Sequence, residues 1–304
     1  MILEHQRPPK PGPAEWLLVA VLGLFVFAGV ARGQTGYGML QGGSRNNALS
    51  AAQFSNPKLS FFVLRDRCAK QNASPNRFDF TYNANQIRRA RKAGKGYIVA
   101  TMTGVDATPT FVAGPRYKTS KGESVIAPWS PAIADWYAGY IYAQANTAVD
   151  GVKVKDDPAC LAVWCTGPTV PSQELHLNGL ENAPGYNPAG IVANWKACIK
   201  ATHAAFPNKP GILSISGQSA VLKYQPQIIA AMQAEYGKNA IFQHNSLGKQ
   251  TNVNAPHHKL LLDLKRQGYR VGAEMVQPGN TAGLVKFPQR DYAVLYPGDE
   301  GGLK

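Results

Sequence analysis

Residues 160–165 read CLAVWC. Six consecutive apolar positions, without the alternation of a half-exposed strand, are what a strand buried on both faces needs. The run is too short for a helix, and Thr166, Gly167 and Pro168 close it. About 25 residues on, Ile191, Trp195, Cys198, Ile199, Thr202 and Phe206 recur at helical spacing and form one buried stripe over 191–206, which Pro207 ends. A strand buried on both faces followed by an amphipathic helix is the unit of a parallel sheet.

The same unit recurs in both directions. Strand-like runs stand at 59–64 (LSFFVL), 78–80 (FDF), 96–101 (GYIVAT), 160–165, 211–215 (GILSI), 240–242 (AIF), 271–275 (VGAEM) and 292–296 (YAVLY). Helical patterns lie at 132–148, at 225–236 with Gly237 as C-terminal cap, and at 256–267 with Pro256 behind Asn254. Eight strands in βα alternation predict an α/β protein with a closed (β/α)8, TIM-type barrel rather than an open sheet. The last helices are incomplete: 276–291 is Pro/Gly-rich, and no helix follows the final strand. Residues 34–57, rich in Gly, Asn, Ser and Gln, predict an irregular N-terminal arm, which leaves 58–304 as the barrel domain.

Residues 1–33 are a separate segment. An uncharged apolar run of 15 residues, 16–30, follows a Pro-rich stretch with Arg7 and Lys10 and precedes Ala31-Arg32-Gly33. That is the build of a secretory signal peptide cut before Gln34. The run is shorter than the roughly 20 residues of a spanning helix. The expectation is therefore a secreted or periplasmic protein with no stable membrane insertion after cleavage. Export permits disulfides, but Cys68, Cys160, Cys165 and Cys198 are too few for a disulfide scaffold in 304 residues, and their pairing is open.

The formal charge is +14. Residues 1–33 carry three Lys/Arg and two Glu, so their loss leaves +13. Export argues against nucleic acid as the partner, and no zinc-finger or RNP pattern accompanies the charge. Attraction to an acidic polysaccharide or cell surface fits better. The densest cluster, Arg88-Arg89-Arg91-Lys92, reads as a solvated helix face. No P-loop, serine elbow or H-E-x-x-H occurs. No cofactor and no metal are called for.

In a parallel barrel, chemistry sits at the C-terminal ends of the strands. Glu274 lies inside an otherwise apolar strand, where a charge must be paired or hydrogen-bonded. Glu174, in TGPTVPSQELHL, follows the strand at 160–165. Two carboxyls on one barrel are the constellation of a glycosidase: one protonates the leaving oxygen while the other attacks the anomeric carbon. Softer candidates are His244 and Asn245 beyond the strand at 240–242, and Arg65, placed to hold Glu274 ionised. Trp129, Tyr186 and Tyr296 lie in strand-end loops where an aromatic face can stack on a pyranose.

Glutamates on strands four and seven, about a hundred residues apart, resemble the large clan of (β/α)8 retaining glycoside hydrolases, the cellulase/β-galactosidase-like enzymes. So does FDFTYNANQIRRARKAGKGYIVATMTG, and so does the order PSQE, an ANW-containing helix ending in AFP, then QHN, then GAE. The resemblance covers roughly 59–299. It implies that Glu174 is the acid/base and Glu274 the nucleophile, and that a carbohydrate is the substrate. The clan usually has Asn before the acid/base; here Gln173 stands there, offering an amide to a sugar hydroxyl. A non-catalytic carbohydrate-binding or surface-recognition barrel shares the aromatic loops and the basic charge. The two readings separate on whether both carboxyls face one cleft.

Overall fold

A computed structural model describes residues 36–41, 48–119, 122–168 and 174–303. Eight parallel strands close into a barrel: β1 Gly36–Leu40, β2 Leu59–Arg67, β3 Gly96–Met102, β4 Cys160–Trp164, β5 Gly211–Ser214, β6 Ala240–Leu247, β7 Arg270–Met275 and β8 Tyr292–Leu295. Each pairs with its neighbours in sequence, and β1 closes the ring between β8 and β2. Besides two four-residue turns of helix, Cys68–Gln71 and Ser219–Leu222, the helices are α1 Ala51–Ser55, α2 Thr81–Lys92, α3 Ala132–Asn146, α4 Pro188–Ala205, α5 Gln225–Tyr236 and α6 Pro256–Arg266. After β7 stands only a 3-10 segment, Thr281–Lys286, and after β8 another, Asp299–Gly302. The incomplete end of the helical ring follows the Pro/Gly content of 276–291.

The barrel starts earlier than the sequence suggests. In place of an irregular arm over 34–57, Gly36–Leu40 is a barrel strand, and α1 follows with a capping box between Ser50 and Gln53. The reason is packing. Gly38 faces the lumen, where a Cβ would come within 2.1 Å of the Phe61 ring, so the strand has glycine where an apolar side chain would have announced it. Phe78-Asp79-Phe80 is not a strand. Its two rings lie parallel at 5.9 Å and meet Tyr140 of α3 at 6.3 and 5.7 Å, while the Asp79 carboxylate accepts from the Thr81 N–H. The run anchors the start of α2 to the helical layer.

Two apolar volumes make up most of the core, beside a small cluster of Val112, Ile126 and Ile133. Inside the barrel, Leu40, Phe61, Val63, Ile98, Ala162, Trp164, Ile212, Ile241, Tyr292 and Val294 fill the lumen. Between sheet and helices lies the larger core, including Trp195 and Ile199 of α4, Tyr137 and Ile141 of α3, and Leu261 of α6. Burying a large apolar side chain contributes about 1.5–3 kcal/mol, so the predicted α4 stripe is stabilised by packing and not by propensity alone.

All four cysteines are free and buried. Burial pushes the Cys160 and Cys165 thiols up to about 12, which keeps them protonated and unreactive. The basic cluster on α2 is not wholly a solvated face. Arg88 pairs with Asp150 at 2.8 Å, and Arg91 donates from Nε to the buried Asp157 carboxylate at 2.9 Å. Asp157 also accepts from the Tyr97 hydroxyl at 2.5 Å and from the Ala159 N–H at 2.9 Å. Among the described residues, no helix is long and apolar enough to cross a membrane. The apolar run at 16–30 lies outside the described residues.

Candidate functional site

Strand alternation decides which side chains reach the mouth of the barrel. On β2, Phe61 and Val63 lie in the lumen, so Arg65 and Arg67 continue that row toward the C-terminal rim. Asp66, between them, faces the helical layer, where its charge acts on Cys68 and Tyr140. On β6, Ile241 is in the lumen, and Gln243 and Asn245 follow it. On β7, Gly272 faces Tyr292, whose ring a Cβ would meet at 2.2 Å. Glu274 therefore rises from the next layer up. A polar layer of Arg65, Ser214, Asn245, Glu274 and Tyr296 thus caps the apolar lumen at the end where barrel chemistry is found.

Hydrogen bonds organise this layer. The Trp164 indole N–H donates to Ser214 Oγ at 3.0 Å, and Ser214 Oγ donates to Asn245 Oδ1 at 3.3 Å. The Tyr292 hydroxyl donates to Gln243 Oε1 at 2.7 Å, and Gln243 Nε2 donates to the same Asn245 oxygen at 2.7 Å. With its oxygen doubly engaged, the Asn245 amide is fixed in orientation. Its Nδ2 donates to Glu174 Oε1 at 3.0 Å. Four strands thus position one carboxyl oxygen.

Glu174 opens onto a cleft of about 310 Å3 that His176, Gly217, Asn245, Ser246 and His257 also line. Burial lowers the pKa of His176 despite the Glu174 charge beside it, and burial together with His258 and His176 lowers that of His257. Both imidazoles are neutral near pH 7 and serve as hydrogen-bond groups rather than cations.

Glu274 is only 1% exposed. Burial pushes its carboxyl up to about 8. The Arg65 charge opposes the shift and the Glu174 charge adds to it. Among the described residues, Glu274 Oε2 has no hydrogen-bond partner. The expectation that Arg65 holds Glu274 ionised is therefore corrected: desolvation outweighs the guanidinium, and Glu274 carries a proton at neutral pH. Tyr296 joins the group. Its hydroxyl is pushed up to about 12 by burial and by the neighbouring Glu274, while a hydrogen bond with Arg65 works the other way. The charges of Glu274, Glu174 and Arg65 all act on this one hydroxyl, which puts both carboxyls in a single electrostatic site.

The other sequence candidates divide. Asn245 stands in the site. His244 does not: it is fully buried on the opposite face of β6, with ring contacts to His257, His258 and Phe287 at 5.4, 5.7 and 5.8 Å. Burial drives its pKa down to about 3, so it is a neutral core residue. Trp129 and Tyr186 meet edge-to-face at 5.7 Å, and Tyr117 closes on Trp129 at 5.6 Å. They form one aromatic cluster in the loops after β3 and β4. Gln173 lies outside the described residues. The residues not foreseen are Gln243, Ser214, Tyr292, Arg67, His176 and His257. Gln243 carried a signal, since polar residues two apart on one strand share a face. Among the described residues, no cluster of His, Cys, Asp and Glu has the arrangement of a metal centre.

No family model matches the chain, and no curated protein matches it in sequence. Solved structures do. The catalytic domain of β-amylase from Paenibacillus polymyxa superposes with a TM-score of 0.56 at 12% identity, covering 86% of this chain and 91% of that one. Xylanase 10B from Thermotoga maritima gives 0.53 at 9% identity, covering 86% and 82%. Endo-glycoceramidase II from Rhodococcus sp. gives 0.53 at 9% identity, covering 87% and 73%. The fold is a TIM barrel. It is shared with these glycoside hydrolases, and at such identities the likeness speaks for the barrel and not for any residue in it.

Proposed function

We propose that this TIM barrel is a glycoside hydrolase that cleaves O-glycosidic bonds through Glu174 and Glu274 with retention of configuration. The observation that carries the reading is the shared electrostatic site of the two carboxyls at the C-terminal mouth, with Glu174 held by Asn245. A binding barrel has no need of a buried, protonated carboxyl, whose burial costs stability. A buried carboxyl with a raised pKa, beside a second carboxyl that lines a cleft, supports acid–base chemistry.

Retaining hydrolysis needs one carboxylate and one carboxylic acid at the same pH. In the ligand-free protein, burial keeps a proton on Glu274 near neutrality. Attack by Glu274 requires that proton to stand on Glu174 instead. A sugar ring in the cleft supplies the reason for transfer. Positive charge developing at the anomeric carbon favours an ionised Glu274, as Arg65 already does, and Glu174 faces the departing oxygen. Glu174 then protonates the leaving group, Glu274 forms the glycosyl ester, and Glu174 activates the water that hydrolyses it. Tyr296 and Arg65 steady Glu274 through the change in charge.

Export completes the reading: cleavage before Gln34 would leave the barrel free outside the cytoplasm. Intact-mass analysis of the exported protein tests it, and retention of 16–30 argues for an anchor. The enzymatic claim is tested by screening the purified protein against chromogenic glycosides and soluble polysaccharides. Glu274→Ala should abolish turnover. Glu174→Ala should spare the first step for substrates with good leaving groups. Activity unaffected by either change contradicts the assignment, and no hydrolysis across the panel favours a binding barrel.

A further inference from the structure

The mouth of the barrel holds a cation that the proposed hydrolysis does not use. Arg67 is the last residue of β2 and two positions beyond Arg65 on the same inward row. At about 3.3 Å per residue, its backbone stands roughly 6–7 Å above that of Arg65, a step comparable to one sugar ring. Its Nε is shut off from solvent and has no hydrogen-bond partner. Asp66, the carboxylate next to it in sequence, turns to the opposite face, where its charge acts on Cys68 and Tyr140. Among the described residues, no ion pair to Arg67 forms. A sheltered, uncommitted guanidinium nitrogen is costly unless a ligand engages it.

The charge balance of the site points the same way. Two guanidiniums, Arg65 and Arg67, stand on one inward row of β2 at the mouth. In a chain of charge +14 such a pair attracts anions and repels cations. The planar fork of Arg matches the two oxygens of a carboxylate or sulfate.

We propose that the substrate is an anionic saccharide and that Arg67 receives its acidic group, a uronate carboxylate or a sulfate ester, one sugar ring away from the reacting carboxyls. The inference rests on the carbohydrate reading of the site but not on turnover. Arg67 is a specificity residue, and Arg65 serves the buried Glu274.

Calorimetric binding to the full-length protein tests it with three tetrasaccharides: cellotetraose, its C6-oxidised tetraglucuronate and its 6-sulfated form. At least one anionic form should bind tenfold or more tightly than cellotetraose, the size of one charge-assisted contact, and the tighter of the two identifies the source of the anion. Arg67→Gln should erase the gap, bringing the anionic forms to the affinity of cellotetraose. Arg67→Lys should restore part of it, and Lys92→Gln, on the outer face of α2, should preserve it. On the wild-type protein, the same anionic tetrasaccharide should protect Arg67 from phenylglyoxal, read by peptide mass. A gap absent from the wild type, a gap that survives Arg67→Gln, or labelling of Arg67 that the anion does not slow overturns the proposal. Arg67-dependent binding without cleavage of any glycoside leaves this inference standing and removes the hydrolase. Cleavage of neutral glycosides without an anionic gap does the reverse.

Discussion

Replacing Glu274 with Gln should make stability independent of a proton that the wild-type protein must hold. In the unfolded chain this carboxyl ionises at its ordinary value of 4.5; in the fold, burial pushes it to about 8. Between those values the folded state binds a proton that the unfolded state has released. Stability therefore falls as pH rises across that window. The neutral form's advantage is fully present below about pH 4.5 and lost as pH passes about 8. Each pH unit is worth about 1.4 kcal/mol, so the full window amounts to on the order of 5 kcal/mol, and the span from pH 5 to 8 to about 4 kcal/mol. Gln has nearly the same shape and no charge, so its curve lacks this slope. For a domain of this size, about 4 kcal/mol corresponds to a Tm change on the order of 10 °C. Thermal melts of both proteins from pH 4.5 to 9 read it directly. The variant should gain on the wild type steadily with pH, whatever constant offset the amide introduces. Parallel curves would show that Glu274 is ionised in the fold, and would refute both the burial argument and the shared-proton mechanism built on it.

Other outcomes follow from the same structure. The pair must keep one proton to work, so kcat/KM should fall above about pH 8, the pH at which the buried carboxyl releases it; a profile flat to pH 10 would contradict this. Asp157→Ala strands Arg91 and the buried Tyr97 hydroxyl and should cost about 3–5 kcal/mol in chemical denaturation. Gly272→Ala places a Cβ 2.2 Å from the Tyr292 ring and should destabilise by about 1–3 kcal/mol or more through overpacking; an unchanged midpoint would show that the lumen has slack. Melts with and without reductant should agree within a few degrees, because the four thiols are buried and unpaired.

The sequence carried the barrel well where strands pack apolar side chains on both faces. β2 through β8 each contain such a run, and the count of eight came out right. It did so with one strand misplaced: Phe78-Asp79-Phe80 has strand composition but its rings serve the helical layer, while Gly36–Leu40 is a strand whose inward position is glycine because Phe61 occupies its space. Composition reports what a side chain is and not which neighbour fills the room it leaves.

The site was legible to the same depth. Glu274 stood out because a carboxyl in an apolar strand has to be explained, and Asn245 because it follows a strand. His244 was a misreading of alternation, since one step along β6 turns a side chain from the lumen to the helices. The protonation of Glu274 was not legible. Sequence suggested a charge there, whereas layering inside the barrel buries Glu274 completely and raises its pKa. Burial of that kind arises from residues distant in sequence, among them Arg65 and Tyr296, brought together only by closure of the ring.

As acid/base and nucleophile of a retaining hydrolase, Glu174 and Glu274 would act through a glycosyl ester that keeps the substrate's configuration. Proton NMR of the first-formed sugar, recorded on the best substrate from the glycoside screen before mutarotation, tests it most directly. The first sugar released should carry the anomeric configuration of the substrate. Release of the opposite anomer would mean that water attacks without a glycosyl ester on Glu274, and would contradict the mechanism.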